Sequence, residues 1–211
     1  MHTGRLIVRR FAETDLEDVL AYQTHPEMLN YVPEEPMTKE GAVSYLAKQA
    51  NLEHPAYGAA GGWLPFAVQS ASNAKVIGEV GIFFEPEPKS EGAIGWMVHP
   101  NYWGQGFATE AAHVLIRHAF LERKLHRLTS GCDTQNTASW RLMERLGMRR
   151  EGHFLQSRRL RGEWRDGYSY ALLHDEWINR ETAVLLAGRV MVEESKSSRS
   201  EAVRSPGRVS S

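Results

Sequence analysis

Two hydrophobic patterns follow one another along the first fifty residues. In RLIVRRF (5–11) apolar and basic residues alternate, which predicts a short strand. The next run, AETDLEDVLAYQ, predicts a helix with Thr14 or Asp15 as its N-cap. A loop that contains Pro33 and Pro36 leads to TKEGAVSYLAKQ, which predicts a second helix. Leu16, Val19, Leu20 and Gln23 stand at helical spacing in the first helix.

The middle of the chain predicts three strands and then a helix. A glycine-rich loop, YGAAGGW (57–63), precedes the strand-like segments, and turn-rich stretches separate them. These segments are WLPFAVQS, KVIGEVGIFF and AIGWMV. The following run, HPNYWGQGFATEAAHVLIRHAF, predicts a central helix preceded by Gly104 and Gly106. One face of that helix carries Ala108, Ala112, Leu115 and Ala119.

The remaining elements complete a mixed sheet. RLTSGC (127–132) predicts a strand, and NTASWRLMERLG predicts a helix that begins at Asn136 and stops at Gly147. Two further strands are predicted around the turn Arg161-Gly162-Glu163. Strands and helices in this order indicate the α/β (α+β) class, with about seven strands and helices on both faces of the sheet.

The C-terminal part differs in composition from the rest. We expect one domain over residues 1–177 and a helical extension over 178–192. Residues 193–211 contain seven serines and few apolar side chains. Burial of so few apolar groups cannot offset the entropy of ordering, so we expect a disordered tail.

Composition and charge narrow the function. The 211 residues are 42% hydrophobic and 24% charged, with a formal net charge of −1, as in an ordinary globular protein. Without an excess of positive charge we expect neither nucleic acid nor a membrane as partner. The one cysteine, Cys132, and the lack of a signal peptide or a membrane-spanning run predict a cytoplasmic protein. The nine histidines show no usual ligand spacing, so we expect no metal.

The glycine pair before the central helix has two interpretations. Gly104 and Gly106 allow a tight turn, and a turn alone would explain them. Glycines at a helix N-terminus also let an anion approach the free backbone N–H groups and the positive end of the helix dipole. The spacing excludes the βαβ dinucleotide fingerprint, because Thr109 stands where its third glycine would be.

Three separated motifs resemble the GNAT N-acetyltransferase superfamily. Trp103-Gly-Gln-Gly-Phe-Ala108 is similar to its acyl-CoA signature, with Trp103 in place of the usual basic or amide residue. The run YWGQGFATEA, the stretch from Asn136 to Gly152, and GEWRDGYSYALLHDEW resemble the RimJ/RimL-type branch. The resemblance covers about residues 4–177 and implies a GNAT fold with a mostly antiparallel sheet.

The resemblance implies acetyl-CoA as cofactor, coenzyme A as product, and direct transfer of the acetyl group to an amine. In this resemblance the pantetheine arm and the oxyanion bind the strand backbone at residues 97–99, and the pyrophosphate binds the glycine loop. Asn136 either contacts the cofactor arm or serves only as a helix cap. The implied cofactor-binding residues are Met97, Val98, His99, Gly104, Gln105, Gly106, Phe107, Ala108, Thr109 and Asn136. In the family, a bulge in the strand before the loop opens the cofactor slot.

Two catalytic residues are proposed at this point. Ser139 matches the motif serine that protonates the leaving thiolate, and its alternative is a plain position in the first helical turn. Glu79 is a candidate general base on a strand beside the cleft, or else an exposed carboxylate. Related enzymes often carry a glutamate where this chain has Ala93, so a water relay is the other route for the proton. Cys132 is interpreted as a buried strand residue and not a nucleophile, and the His99 side chain as structural or solvent-exposed and not a base.

The acceptor stays open among several classes. Branch resemblance favours a protein or peptide α-amine, ahead of a small amine such as an antibiotic or polyamine. A non-catalytic acyl-CoA sensor is the alternative that Ala93 favours. Glu34 and Glu35 could attract a cationic amine or lie in a solvated loop, and arginines between Arg141 and Arg165 are mostly solvated, with one or two near the CoA 3′-phosphate. We expect a monomer or homodimer.

Overall fold

The computed structural model describes residues 1–31, 35–50, 62–85 and 90–184. Within these ranges one sheet has seven strands in the order β1-β2-β3-β4-β5-β7-β6. The strands are β1 (Leu6–Arg9), β2 (Gly62–Ser70), β3 (Val76–Phe84), β4 (Glu91–Val98), β5 (Arg127–Asp133), β6 (Arg149–Leu160) and β7 (Glu163–Leu173). Neighbouring strands are antiparallel except β4 and β5, which are parallel. This arrangement confirms the predicted mixed sheet.

The helices are α1 (Leu16–Gln23), α2 (Lys39–Ala50), α3 (Phe107–Leu121), α4 (Thr137–Arg145) and α5 over residues 174–184. The chain divides into two compact units, Met1–His174 and Asp175–Ser211. In the second unit, the described residues 175–184 are helical. Pro33, Glu34, residues 57–61 of the glycine-rich loop and the tail at 193–211 lie outside the described residues.

Helices cover both faces of the sheet in the first unit. Tyr22 of α1 and Tyr45 of α2 donate hydrogen bonds to Glu79 of β3. Val80 follows Glu79 and therefore faces the other way, as does its cross-strand partner Phe66, whose ring contacts His118 of α3. Consequently α1 and α2 lie on one face, called the α1/α2 face below, and α3 lies on the other.

The helix patterns predicted about half of the buried residues of α1 and α3. In α3 the buried set contains Ala112, Leu115 and Ala119 as predicted, whereas Ala108 is only half-buried because it lies at the open end of the helix. In α1 the fully buried residues are Val19 and Tyr22, whereas the other three predicted positions, Leu16, Leu20 and Gln23, are only half-buried. Gly147 has φ = +86° directly after α4, the left-handed conformation that ends a helix.

Candidate active site

A cavity of about 740 Å³ lies where β4 and β5 separate. In the described chain these strands pair at three positions, from Glu91 opposite Arg127 to Ala93 opposite Thr129. Beyond this point the hydroxyl of Ser130 donates to the Ile94 carbonyl at 2.8 Å, and the strands then diverge. The cavity is lined by the later residues of both strands and by the N-terminal ends of α3 and α4. The register of β4 against β3 is regular throughout, so the slot opens without a shift in that pairing.

The β4 backbone presents alternate residues to this cavity. The N–H of His99 donates to the Ile77 carbonyl at 2.8 Å, and the N–H of Glu85 donates to Glu91 at 3.2 Å. In an antiparallel pair such bonds recur at every second residue, so Met97 also directs its backbone at β3. The backbone groups of Trp96 and Val98 therefore face the gap toward β5.

This geometry separates the three predicted strand contacts. Val98 lines the cavity with a backbone N–H directed into the gap, and Met97 lines it while its N–H faces β3. The N–H of His99 is already used by Ile77, and its ring Nδ1 accepts from Asn101 N–H at 3.1 Å. The sequence missed Trp96, because strand register and not residue type decides which backbone groups are free.

The glycine loop forms an open corner of the cavity. Gly104 has φ = +72° and Gly106 has φ = +81°, conformations that residues with a side chain rarely adopt. A Cβ added at Gly104 would meet nothing within 4 Å, and one at Gly106 would meet only the tip of Arg5 at 3.6 Å. No described side chain therefore fills this corner, and both glycines line the cavity.

The N-terminus of α3 completes that corner. Among the described residues no side chain caps the helix, whose Glu110 N–H bonds to the Gly106 carbonyl at 3.0 Å. The N–H groups of Phe107, Ala108 and Thr109 precede that bond, and all three residues line the cavity. Gln105, predicted beside them, is absent from the described lining; its side chain instead donates to the Asn101 carbonyl at 3.0 Å.

Arg5, the residue directly before β1, compensates the negative charge of Glu110 at the N-terminus of α3. Glu110 lies in the first turn of α3, and Arg5 binds its carboxylate through Nε at 2.8 Å. Arg5 also donates through Nη1 to the Gln105 carbonyl at 3.0 Å. Burial raises the pKa of Glu110, but hydrogen bonds from Thr3 and Arg5 outweigh burial and leave this pKa below its usual value. Arg5 therefore offsets a negative charge beside the glycine loop and holds the loop backbone.

Trp103 connects the loop to β4. Its indole N–H donates to the Val98 carbonyl at 2.6 Å, and the residue also lines the cavity. The residue that departs from the common signature thus forms a bond between the strand end and the loop. The sequence carried no signal for this contact, because it depends on the turn at residues 100–106.

At α4, the predicted cap and the predicted serine lie side by side. Asn136 is the N-cap, and its Oδ1 accepts from the Ser139 N–H at 3.1 Å. The Ser139 hydroxyl oxygen accepts from the indole N–H of Trp96 at 3.2 Å. A hydroxyl that accepts at its oxygen still has its own hydrogen to donate. Asn136 and Ser139 both line the cavity.

Glu79 lies on the predicted strand, β3, but its carboxylate is neither exposed nor part of the described cavity lining. Its side chain is 7% exposed, so the interpretation as an exposed carboxylate is wrong. Its Oε2 accepts from the hydroxyls of Tyr22 at 3.0 Å and Tyr45 at 2.9 Å, and it is not part of the described cavity lining. Burial raises the pKa of Glu79, although hydrogen bonds from Tyr45, Tyr22 and Trp63 lower it in part. The β3 register turns this carboxylate toward α1 and α2.

Two other sequence predictions concern Cys132 and metal binding. Cys132 lies buried in β5, as predicted, and burial raises the pKa of its thiol to about 11. Such a thiol carries little nucleophilic thiolate at neutral pH. Within residues 1–31, 35–50, 62–85 and 90–184 there is no cluster of three His, Cys, Asp or Glu side chains that could hold a metal ion. In the same ranges no helix has the length and apolarity needed to span a membrane.

A parallel strand pair that opens beside an uncapped, glycine-preceded helix defines a GNAT-type acyltransferase fold. Residues 5–149 match the family described as Acetyltransferase (GNAT) domain. The chain belongs to this family and is an N-acetyltransferase that uses acetyl-CoA to acetylate an amine.

Similar proteins agree with this assignment. The Bacillus subtilis uncharacterized N-acetyltransferase YnaD is 33% identical over 83% of this chain and 97% of its own length. The Bacillus licheniformis uncharacterized N-acetyltransferase p20 is 27% identical over 84% of this chain and 97% of its own. The crystal structure of a GNAT-family acetyltransferase from Bacillus anthracis is similar with a TM-score of 0.73 and 31% identity, covering 83% of this chain and 98% of that one.

Proposed function

We propose that this acetyltransferase modifies an α-amine, in the first place the N-terminus of a protein or peptide. The observation that carries this proposal is that neither position considered for a general base places a carboxylate in the described cavity lining. The carboxylates that do belong to this lining are Glu27 and Asp133, and Asp133 accepts from the Gln135 N–H and lies beside Arg158. Ala93 occupies the position where related enzymes often carry a glutamate, and Glu79 is buried outside the described lining. An α-amine, with a pKa near 8, is partly neutral at pH 7, whereas an alkyl amine near 10.4 needs a base.

The cofactor is proposed to lie along the cavity from α3 to α4. The N–H groups of residues 106–109 suit the pyrophosphate, since these donors have no partner in the helix and the dipole favours negative charge. The N–H of Val98 faces the gap between the strands and is suited to the oxyanion that forms on the thioester carbonyl. The pantetheine arm would pair with the backbone of Trp96 and Val98 as an added strand.

Ser139 is proposed to protonate the leaving thiolate. Its oxygen is held by the Trp96 indole, which orients the hydroxyl hydrogen away from Trp96. Asn136 is proposed to contact the cofactor arm through Nδ2, because its Oδ1 is engaged by the Ser139 N–H. Glu79 is proposed as a positioning residue that connects α1 and α2 to β3.

The names of two relatives indicate different acceptors. The Escherichia coli [ribosomal protein uS5]-alanine N-acetyltransferase is 29% identical over 84 residues, which is 40% of this chain and 43% of that protein. The Aspergillus fumigatus FsC-acetyl coenzyme A-N(2)-transacetylase is 27% identical over 70% of this chain and 64% of its own length. A small-molecule amine is the second candidate acceptor.

The test is an amine panel with acetyl-CoA, in which free thiol is measured and products are identified by mass spectrometry. Peptides with different first residues, amino acids, polyamines and aminoglycosides would be compared at several pH values. We expect thiol release with α-amines and little with polyamines near neutral pH. Tight coenzyme A binding without thiol release from any amine would instead identify a sensor.

A further inference from the structure

Asp133, at the end of β5, lies on the α1/α2 face of the sheet. Thr129 pairs with Ala93, and side chains alternate along each strand, so Asp133 shares a face with Ala93 and Met97. Met97 in turn lies opposite Glu79, whose carboxylate binds the tyrosines of α1 and α2. The Asp133 carboxylate therefore belongs to the α1/α2 face.

Two arginines of the last hairpin lie on that same face. Asp133 pairs with Gly167 of β7, so Arg165, two residues earlier, has the same orientation. Arg165 is paired with Arg158 of β6. Arg158 and Asp133 both line the cavity, although they are far apart in the sequence.

Three polar atoms of this pair are buried and lack a hydrogen-bond partner in the described part of the chain, although the Arg158 side chain as a whole is 38% exposed. The Asp133 side chain is 0% exposed, and its Oδ2 lies 4.0 Å from Arg158 Nη2, which is beyond hydrogen-bond distance. Asp133 Oδ2, Arg158 Nε and Arg158 Nη2 have no hydrogen-bond partner within the described part of the chain. Buried groups of this kind are bonded in most proteins, so unpaired ones in a binding cavity indicate a place for ligand or water.

Neighbouring bonds hold the pair in place. Asp133 Oδ1 accepts from the Gln135 N–H at 2.8 Å, which fixes the carboxylate. Arg165 Nη1 donates to the Gln135 side chain and thereby connects the hairpin to the segment before α4. The charge of Asp133 keeps Arg158 near the cavity, and the missing hydrogen bond leaves the guanidinium donors available.

We propose that Arg158 is a specificity-determining residue that binds an oxygen of the carbonyl or carboxylate group attached to the acceptor's α-carbon, the carbon that bears the amine. That oxygen is the first carbonyl of a peptide or the carboxylate of a free amino acid. This inference rests on the proposed function and names the chemical feature by which the same cavity selects an α-amine. Asp133 acts through Arg158 as a positioning residue. The cation also disfavours polyamines, because a second positive charge in the acceptor would be repelled.

The experiment compares acceptors that differ by one group. Phenylalanine amide and 2-phenylethylamine share the ring and the amine, but only the amide has the adjacent carbonyl. Wild type, Arg158→Gln and Arg158→Lys would be assayed for thiol release with both, and each rate would be expressed relative to wild type with the same acceptor. The different pKa values of the two amines then cancel.

We expect Arg158→Gln to lower kcat/KM for phenylalanine amide about 30-fold while the value for 2-phenylethylamine stays nearly unchanged. Arg158→Lys keeps the charge and should recover part of the loss, which also guards against misfolding of the glutamine variant. Asp133→Asn should shift the same ratio in the same direction by a smaller amount. Arg159→Gln is the matched control, since Arg159 is exposed, donates to the Gly162 carbonyl and is not in the described lining.

Equal losses with both acceptors, or no loss with either, would overturn the proposed role of Arg158. Neither result would contradict the assignment of the protein as an acetyltransferase. Parallel assays with free phenylalanine and with a dipeptide distinguish a carboxylate oxygen from a peptide carbonyl oxygen. A preference of wild type over Arg158→Gln for either acceptor supports the role of Arg158. If no acceptor gives thiol release, binding of N-acetylphenylalanine amide to the coenzyme A complex becomes the readout. Equal affinity of wild type and Arg158→Gln in calorimetry would then refute it.

Discussion

The N-termini of α3 and α4 line the same cavity but differ in their capping. At α3 the residue before the helix is Gly106 in a left-handed conformation, and no described side chain caps it. At α4 the corresponding residue is Asn136, whose side-chain Oδ1 already accepts a hydrogen bond from the Ser139 N–H. The α3 end thus has free donors and the α4 end has a neutral side-chain cap.

The difference shows how a cavity can assign two ends of one ligand. A diphosphate needs several donors and positive potential, and these are available where a helix lacks a cap. A thioester and its thiolate need one or two specific donors, and side chains such as Ser139 supply them better than an open helix end. The two helix ends therefore favour one direction of the cofactor along β4.

The largest effect is expected from Gly106→Val. The side chain would be placed in a left-handed backbone conformation and into the open corner, so acetyl-CoA affinity should fall about 1,000-fold or more. Calorimetry with coenzyme A measures this loss. Gly162→Val is the control, because Gly162 has φ = +86° and open space but lies at the β6–β7 turn. Unchanged affinity in Gly106→Val would remove the anion role of the loop.

The second-largest effect is expected from Ser139→Ala. Loss of the proton donor to the thiolate should lower kcat about 100-fold, the lower edge of general acid catalysis, with little change in the KM for acetyl-CoA. Steady-state kinetics at saturating acceptor separates the two constants. Ser44→Ala on the exposed side of α2 is the control. A variant as fast as wild type would exclude Ser139 from the proton transfer.

Variants of Asn136 sharpen the comparison between the helix ends. Asn136→Ser keeps an oxygen for the cap but loses Nδ2, so thermal stability should hold while the KM for acetyl-CoA rises about fivefold. Asn136→Ala loses both functions and should also destabilise the fold by about 1 kcal/mol. Thermal melts and kinetics on the pair would distinguish cap from cofactor contact. If Asn136→Ser matched wild type in KM, the residue would be a cap alone.

The smallest effect on turnover is expected from Glu79→Gln, because the carboxylate lies outside the described lining. A general base there would cost about 100-fold or more, so a loss of that size would contradict the positioning role. The fold raises the pKa of Glu79 above its usual value of 4.5, so its stabilising effect is present when the carboxyl is protonated and is lost as pH rises through the folded-state pKa. Glutamine does not titrate. The Tm of the variant relative to wild type should therefore increase with pH.

Local patterns predicted the elements well, for identifiable reasons. Helix α4 begins at Asn136 and ends before Gly147 because a side-chain cap and a left-handed glycine act within a few residues. The β6–β7 turn, with Arg161 and Gly162 both at positive φ, is equally local. The glycine loop was recognised because its conformation requires Gly104 and Gly106 themselves.

The site was less predictable where distant residues meet. The sequence could not show that Glu79 turns to two tyrosines, since the strand register that orients it involves β2 and β4. The bond from Trp103 to the Val98 carbonyl depends on how the loop folds back over the strand end. No local signal connected Asp133 with Arg158, because β7 lies between their strands.

By itself, the order of residues determined the strands, the helices and the glycine corner before α3, since backbone conformation there depends on neighbouring side chains. Only the tertiary structure decided which of those groups share the cavity. It opened β4 from β5, left the N–H of Val98 without a strand partner among the described residues, and buried Glu79. Each of these outcomes depends on the packing of strands and helices that are far apart in the chain, and such packing is set by the whole sheet.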